Sequence, residues 1–165
     1  MKAVVVYESL WGNTAAVARA IAEGIGPETR AVPTDEATGA EVAGADLVVA
    51  GAPVMGFRLP TEQSRRGAAT GAGRAPSPPD LSHPSMRSWL DEVPEGHGRA
   101  AAFETRLWWS PGGSTKAILR GLGSKGYDPL GKGERFVVTG QYGPLREGEL
   151  ERARAWGAEL AKTVS

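Results

Sequence analysis

Val5-Val6-Tyr7-Glu8-Ser9-Leu10-Trp11-Gly12-Asn13-Thr14 decides the reading of this 165-residue chain. It leaves an apolar run, Ala3–Tyr7, that is rich in β-branched valine. Such a run reads as a strand buried on both faces, as in a parallel sheet. Beyond Glu8-Ser9 the period changes. From Asn13 to Ile25, Val17, Ala18, Ile21 and Ile25 share one helical face, and Gly26-Pro27 ends the helix. The stretch is therefore a turn between a buried strand and a helix N-terminus.

Working outward, the alternation repeats. Thr29–Val32, Asp46–Gly51, Arg99–Phe103 and Arg135–Thr139 read as strands. Ala40–Ala45, Ser85–Asp91, Ser114–Leu122 and Gly148–Val164 read as helices. Five strands alternating with about five helices imply an α/β fold with a doubly wound parallel sheet, whose ligands gather at the carboxyl ends of the strands. The expectation is one domain spanning residues 1–165. Arg58–Pro84 breaks the rhythm. It holds no convincing element and reads as an irregular insert, with five Arg against Glu62 and Asp80 once Arg87 is included.

Composition excludes several chemistries. There is no cysteine, so disulfides, thiolate metal sites and cysteine nucleophiles are ruled out. The two histidines, His83 and His97, have no regular spacing and read as surface residues; no metal site is expected. Lys plus Arg and Asp plus Glu are both 19, which argues against nucleic acid as a partner. No apolar run approaches the ~20 residues of a membrane span, and the N-terminal segment is too short and polar for a signal peptide. The expected location is cytoplasmic. Five of the eleven aromatic residues are Trp, namely Trp11, Trp89, Trp108, Trp109 and Trp156. Trp89 and Trp156 fall on helix faces and read as core or core rim.

The first turn lacks the G-x-G-x-x-G of dinucleotide sites and the G-x-x-x-x-G-K-[ST] of nucleotide triphosphatases. What remains is a hydroxyl- and amide-bearing turn whose N–H groups and helix dipole suit a phosphate monoester without any lysine. Ser9, Asn13 and Thr14 add polar side chains, and Gly12 permits close backbone approach. The same features also describe an ordinary Ser/Thr-capped helix.

Val5, Val6, Tyr7, Ser9, Gly12, Thr14, Ala18 and Ile21 meet every constrained position of the flavodoxin signature, so the segment resembles that family. One departure is Trp11, which stands where many flavodoxins have a second Thr. The resemblance implies sheet order 2-1-3-4-5, noncovalent FMN and redox activity. It implies that Ser9, Trp11 (through its backbone), Gly12, Asn13 and Thr14 hold the phosphate, with Leu10 in the same cofactor-binding turn. The third-strand loop, with Pro53, Val54, Met55, Gly56 and Phe57, looks like the family's first isoalloxazine loop. By position, the fourth-strand loop supplies Thr105, Arg106, Trp108, Trp109, Gly112 and Gly113, with at least one Trp beside the ring and Gly112-Gly113-Ser114 offering N–H groups to the flavin. Arg106 also reads as the partner of Glu104.

Flavodoxin carriers are typically very acidic, whereas this chain is neutral with a basic insert. The expected partners are therefore a redox protein or a small acceptor such as a quinone, the latter implying an FMN-dependent oxidoreductase resembling quinone reductases or protoporphyrinogen oxidases. The alternative is a flavodoxin fold that has lost its flavin and serves as an interaction module. Trp11, Trp108 and Trp109 either line the flavin site or fill it.

Overall fold

A computed structural model describes residues 1–71 and 75–165. The strands are β1 (Ala3–Tyr7), β2 (Arg30–Pro33), β3 (Leu47–Pro53), β4 (Arg99–Leu107), β5 (Asp128–Pro129) and β6 (Glu134–Val138). The helices are α1 (Asn13–Ile25), α2 (Gly39–Ala43), α3 (Glu62–Thr70), α4 (Met86–Glu92), α5 (Thr115–Gly123) and α6 (Glu149–Val164). The strands are parallel in the order β2-β1-β3-β4-β5, with β6 also paired to β4. The expected 2-1-3-4-5 order is thus observed, with its last position split. β5 pairs with Arg99 and Ala100, and β6 pairs with Phe103–Leu107.

Side chains alternate across the sheet, as period two requires. Val4, Val6, Val48, Ala50, Ala100 and Ala102 enter one core layer with Met86, Trp89 and Leu90 of α4 and Ile118 and Leu122 of α5. Val5, Leu47, Val49, Ala101 and Phe103 enter the other with Val17 and Ile21 of α1 and Ala153 and Leu160 of α6. Helices cover both faces, so both faces of each central strand are apolar. Trp89 is buried, and Trp156 packs edge-on against Phe136 at the margin of the second layer.

Three sequence expectations need correction. β4 runs four residues beyond Phe103, so Glu104, Thr105 and Arg106 lie in the strand. Their polar side chains end the apolar run without ending the pairing, because each finds a partner. The insert also contains a helix, α3. It has no apolar stripe; its one buried residue is Arg65. A reciprocal capping box between Thr61 and Ser64 starts it. Lastly, His83 is buried, only 4% exposed. His97 is exposed, and Arg74, counted in the insert's charge, lies outside the described residues.

Candidate functional site

The carboxyl ends of β1, β3, β4 and β6 surround a cavity of about 310 Å³. That lies at the lower end of the ~300–1,000 Å³ common for small-molecule sites. Ser9, Leu10, Trp11, Asn13, Thr14, Pro53, Val54, Met55, Gly56, Phe57, Thr105, Arg106 and Trp109 line it. All were expected from the sequence. Leu107 and Ser110, within the Thr105–Ser114 loop expected to frame the ring, also line it, as do Val138 and Gln141, which were not expected. Gly12, Trp108, Gly112 and Gly113 do not.

At the first turn Ser9 is the hub. Its Oγ accepts from the N–H of Gly12 and of Ala15, both at 3.2 Å. Gly12 sits in the left-handed region (φ 93°), which a side chain would strain. Among the described residues, nothing accepts the N–H groups of Leu10, Trp11, Asn13 or Thr14. The first turn of α1 carries no acidic residue to offset its dipole. Unpaired N–H groups at the positive end of a helix fit a phosphate. Thr14 Oγ1 is 2.7 Å from Thr105 Oγ1, and both residues are buried, joining this turn to β4.

The insert fastens this turn residue by residue. Glu8, fully buried, accepts from Arg65 Nη1 at 2.6 Å and from the Met86 N–H at 2.9 Å. Burial pushes the Glu8 carboxyl above its ordinary range, against the pull of those two donors. The Ser9 N–H donates to His83 Nε2 at 3.1 Å. The Leu10 carbonyl accepts from the Asp80 N–H at 2.8 Å. Trp11 Nε1 donates to the Ser77 carbonyl at 3.0 Å. The Trp11 indole also meets Tyr142 edge-on, with centroids 4.7 Å apart. It is held as one wall, and the cavity stays open. Sequence reasoning missed Arg65, Ser77, Asp80 and His83. Its available signal was a carboxylate, Glu8, directly abutting a buried strand and needing a cation.

The other end is built differently. Met55 and Arg58 exchange N–H to carbonyl bonds at 2.9 and 3.3 Å around Gly56 (φ 58°) and Phe57 (φ 69°). Positive φ at both central residues marks a type I′ turn. For Phe57 that conformation costs about 1–2 kcal/mol. The Phe57 carbonyl accepts from the Gly113 N–H at 3.1 Å. Gly112 (φ 77°) lets the two loops touch, since a Cβ there would collide with that carbonyl. Here the N–H groups of Gly113, Ser114 and Thr115 are consumed. Glu104 Oε1 accepts from the N–H of Ser114 at 2.7 Å and of Thr115 at 3.1 Å, so it caps α5 in place of the Ser114 hydroxyl, which donates to Pro53. The Arg106 guanidinium is buried and held by Glu104 Oε2 and the Gly112 carbonyl, both at 2.7 Å. Its charge is spent internally. Phe57, Trp109 and Trp108 are 56%, 59% and 76% exposed.

The solved structures similar to this chain have the same architecture. A flavodoxin from the domain Archaea superposes with a TM-score of 0.70 at 21% identity, over 99% of both chains. The fold is flavodoxin-like. Oxidised flavodoxin 1 from Bacillus cereus matches at a TM-score of 0.66 and 19% identity over the whole of both chains. A flavodoxin, WrbA-like protein from Agrobacterium tumefaciens matches at 0.62 and 20% identity, over 98% of this chain and 96% of its own. No protein-family model and no curated protein matches the sequence. Among the described residues, no group of three His, Asp or Glu side chains is gathered that could hold a metal, and no helix is long and apolar enough to cross a membrane.

Proposed function

We propose that this flavodoxin-like chain binds FMN noncovalently and is a redox protein. The observation that carries the reading is the set of unpaired N–H groups on Leu10, Trp11, Asn13 and Thr14, opening at the positive end of α1 beside an apolar-walled cavity. Ser9 through Thr14 hold the phosphate, with Gly12 shaping the turn and Ser9 Oγ fixing it. Pro53–Phe57 on one side and Thr105, Leu107 and Trp109 on the other frame the ring. Arg106, itself on the wall, and Gly112 and Gly113 outside it hold that frame together. Trp108 belongs to the surrounding surface. Bound FMN supplies one- and two-electron chemistry, while the chain binds, orients and excludes water.

The partner is an acidic redox protein or an anionic small acceptor such as a quinone carboxylate. Among the described residues, no Asp or Glu lines the cavity. Arg58, next to the lining residue Phe57, stands exposed, as do the rings of Phe57, Trp108 and Trp109. Such a rim attracts anions and offers apolar contact area. The holding of Trp11 by Ser77 and Tyr142 favours this reading over an interaction module without flavin.

Purified protein should carry flavin absorbance or, when colourless, show tryptophan quenching on addition of FMN. A colourless protein with no quenching contradicts the proposal. Once loaded, oxidation by acidic acceptors should slow as salt rises; salt-independent turnover contradicts the partner assignment.

A further inference from the structure

His83 lies 74 residues from Ser9 in sequence, yet its ring meets the hub of the phosphate turn. It is 4% exposed. Its Nε2 takes the Ser9 N–H at 3.1 Å. An amide N–H is only a donor, so Nε2 must be bare and the ring's proton must sit on Nδ1. Nδ1 faces Asp80 Oδ1 at 3.9 Å, across a second, polar cleft on the far side of the turn. Ser82 occupies that same oxygen through its N–H at 2.9 Å and its hydroxyl at 2.6 Å. The His83 carbonyl accepts from Arg65 Nη2 at 2.6 Å, which fixes the residue to the Glu8 anchor.

We propose that His83 is a positioning residue: its Nε2 lone pair holds Ser9, and through Ser9 the anion-binding turn, and a proton added to the ring releases that turn. The inference rests on the phosphate reading of the turn. A protonated ring would turn an N–H toward the Ser9 N–H, and two donors repel. Ser9 would then move, and Ser9 Oγ is what gathers the Gly12 and Ala15 N–H groups. The cradle would lose its geometry without any residue of it being charged.

The charged and titratable groups around the ring come from five segments. They are Asp80 on its own segment, Arg65 on α3, Asp35 and Glu36 after β2, and Arg19 on α1; Tyr7 closes β1. Burial holds the imidazole below its usual range, Asp80 opposes this, and Arg65 adds to it. His83 is therefore neutral at neutral pH and the turn is intact there. Attraction between an imidazolium and a bound phosphate has the opposite sign. The open cleft and Asp80 screen it.

The test compares wild type with His83→Gln, whose Oε1 can replace Nε2 as acceptor but cannot titrate, and with His83→Ala. FMN affinity is measured by quenching from pH 8 down to the acid limit of folding. The FMN phosphate itself titrates near pH ~6, and the H83Q curve subtracts that contribution. We expect log Kd to climb on acidification with a slope up to about one steeper in wild type than in H83Q. H83A should bind more weakly than H83Q throughout. Parallel slopes, or a wild type that gains on H83Q in acid, overturn the proposal. A readout without flavin separates its failure from that of the FMN reading. In the apo protein, nitrogen NMR should find His83 protonated on Nδ1, and the Gly12 and Ala15 amide signals should move with its titration. An Nε2-protonated ring, or amides that ignore it, overturn the positioning role whether or not FMN binds.

Discussion

The two ends of the cavity each rest on a buried Glu–Arg pair, but the pairs differ in reach. Glu8 is anchored to Arg65, 57 residues away on the insert. Glu104 is anchored to Arg106, two residues along the same strand. Around Glu8, four successive residues each take at least one long-range contact, and the turn is left with unpaired N–H groups. Around Glu104 the N–H groups are consumed, and what faces solvent is aromatic. One end is a polar cradle preorganised from a distance. The other is a locally stitched apolar rim. The contrast fits a ligand with an anionic head and a flat, apolar body.

Breaking the anchors should rank them. Arg65→Ala leaves Glu8 buried with only the Met86 N–H, and should cost about 3–5 kcal/mol in urea unfolding. Arg106→Ala leaves Glu104 with two backbone donors, and should cost about 2–3 kcal/mol. Equal losses would remove the distinction between the ends. Next, Gly112→Ala places a Cβ against the Phe57 carbonyl in a left-handed conformation. A loss of about 1–3 kcal/mol is expected, with altered Trp109 fluorescence; a silent variant would show that the stitch is dispensable. Thr14→Ala orphans the buried Thr105 hydroxyl, costing about 1–2 kcal/mol and weakening FMN binding. A variant that unfolds outright would make Thr14 chiefly structural. Smallest is Trp108→Ala, expected within about 0.5 kcal/mol of wild type in stability, since the ring contacts solvent. Its effect should instead appear as slower electron exchange with an acidic partner.

Legibility divides along the same line. β1, β3 and α1 show in the sequence because apolar period and burial coincide there. The cradle shows too, since Ser9, Gly12 and Thr14 act within a few residues of one another. Glu104-Thr105-Arg106 does not read as strand, because its polar side chains satisfy each other inside the fold. α3 is equally silent. Its buried residue is an arginine, and only Thr61 and Ser64 hint at its start. His83 has no local signature at all. A lone histidine among Pro and Ser gains its role only when the insert folds back over Glu8–Trp11. Long-range polar pairing leaves no period behind, so the brace is the part that sequence reasoning misses.

The central claim is that the N–H groups of Leu10, Trp11, Asn13 and Thr14 bind a phosphate. Calorimetric titration of the apo protein with FMN and with riboflavin, which lacks the phosphate, tests it most directly. FMN should bind at least about 100-fold more tightly, roughly 2.7 kcal/mol. Equal affinities for the two flavins would contradict the account.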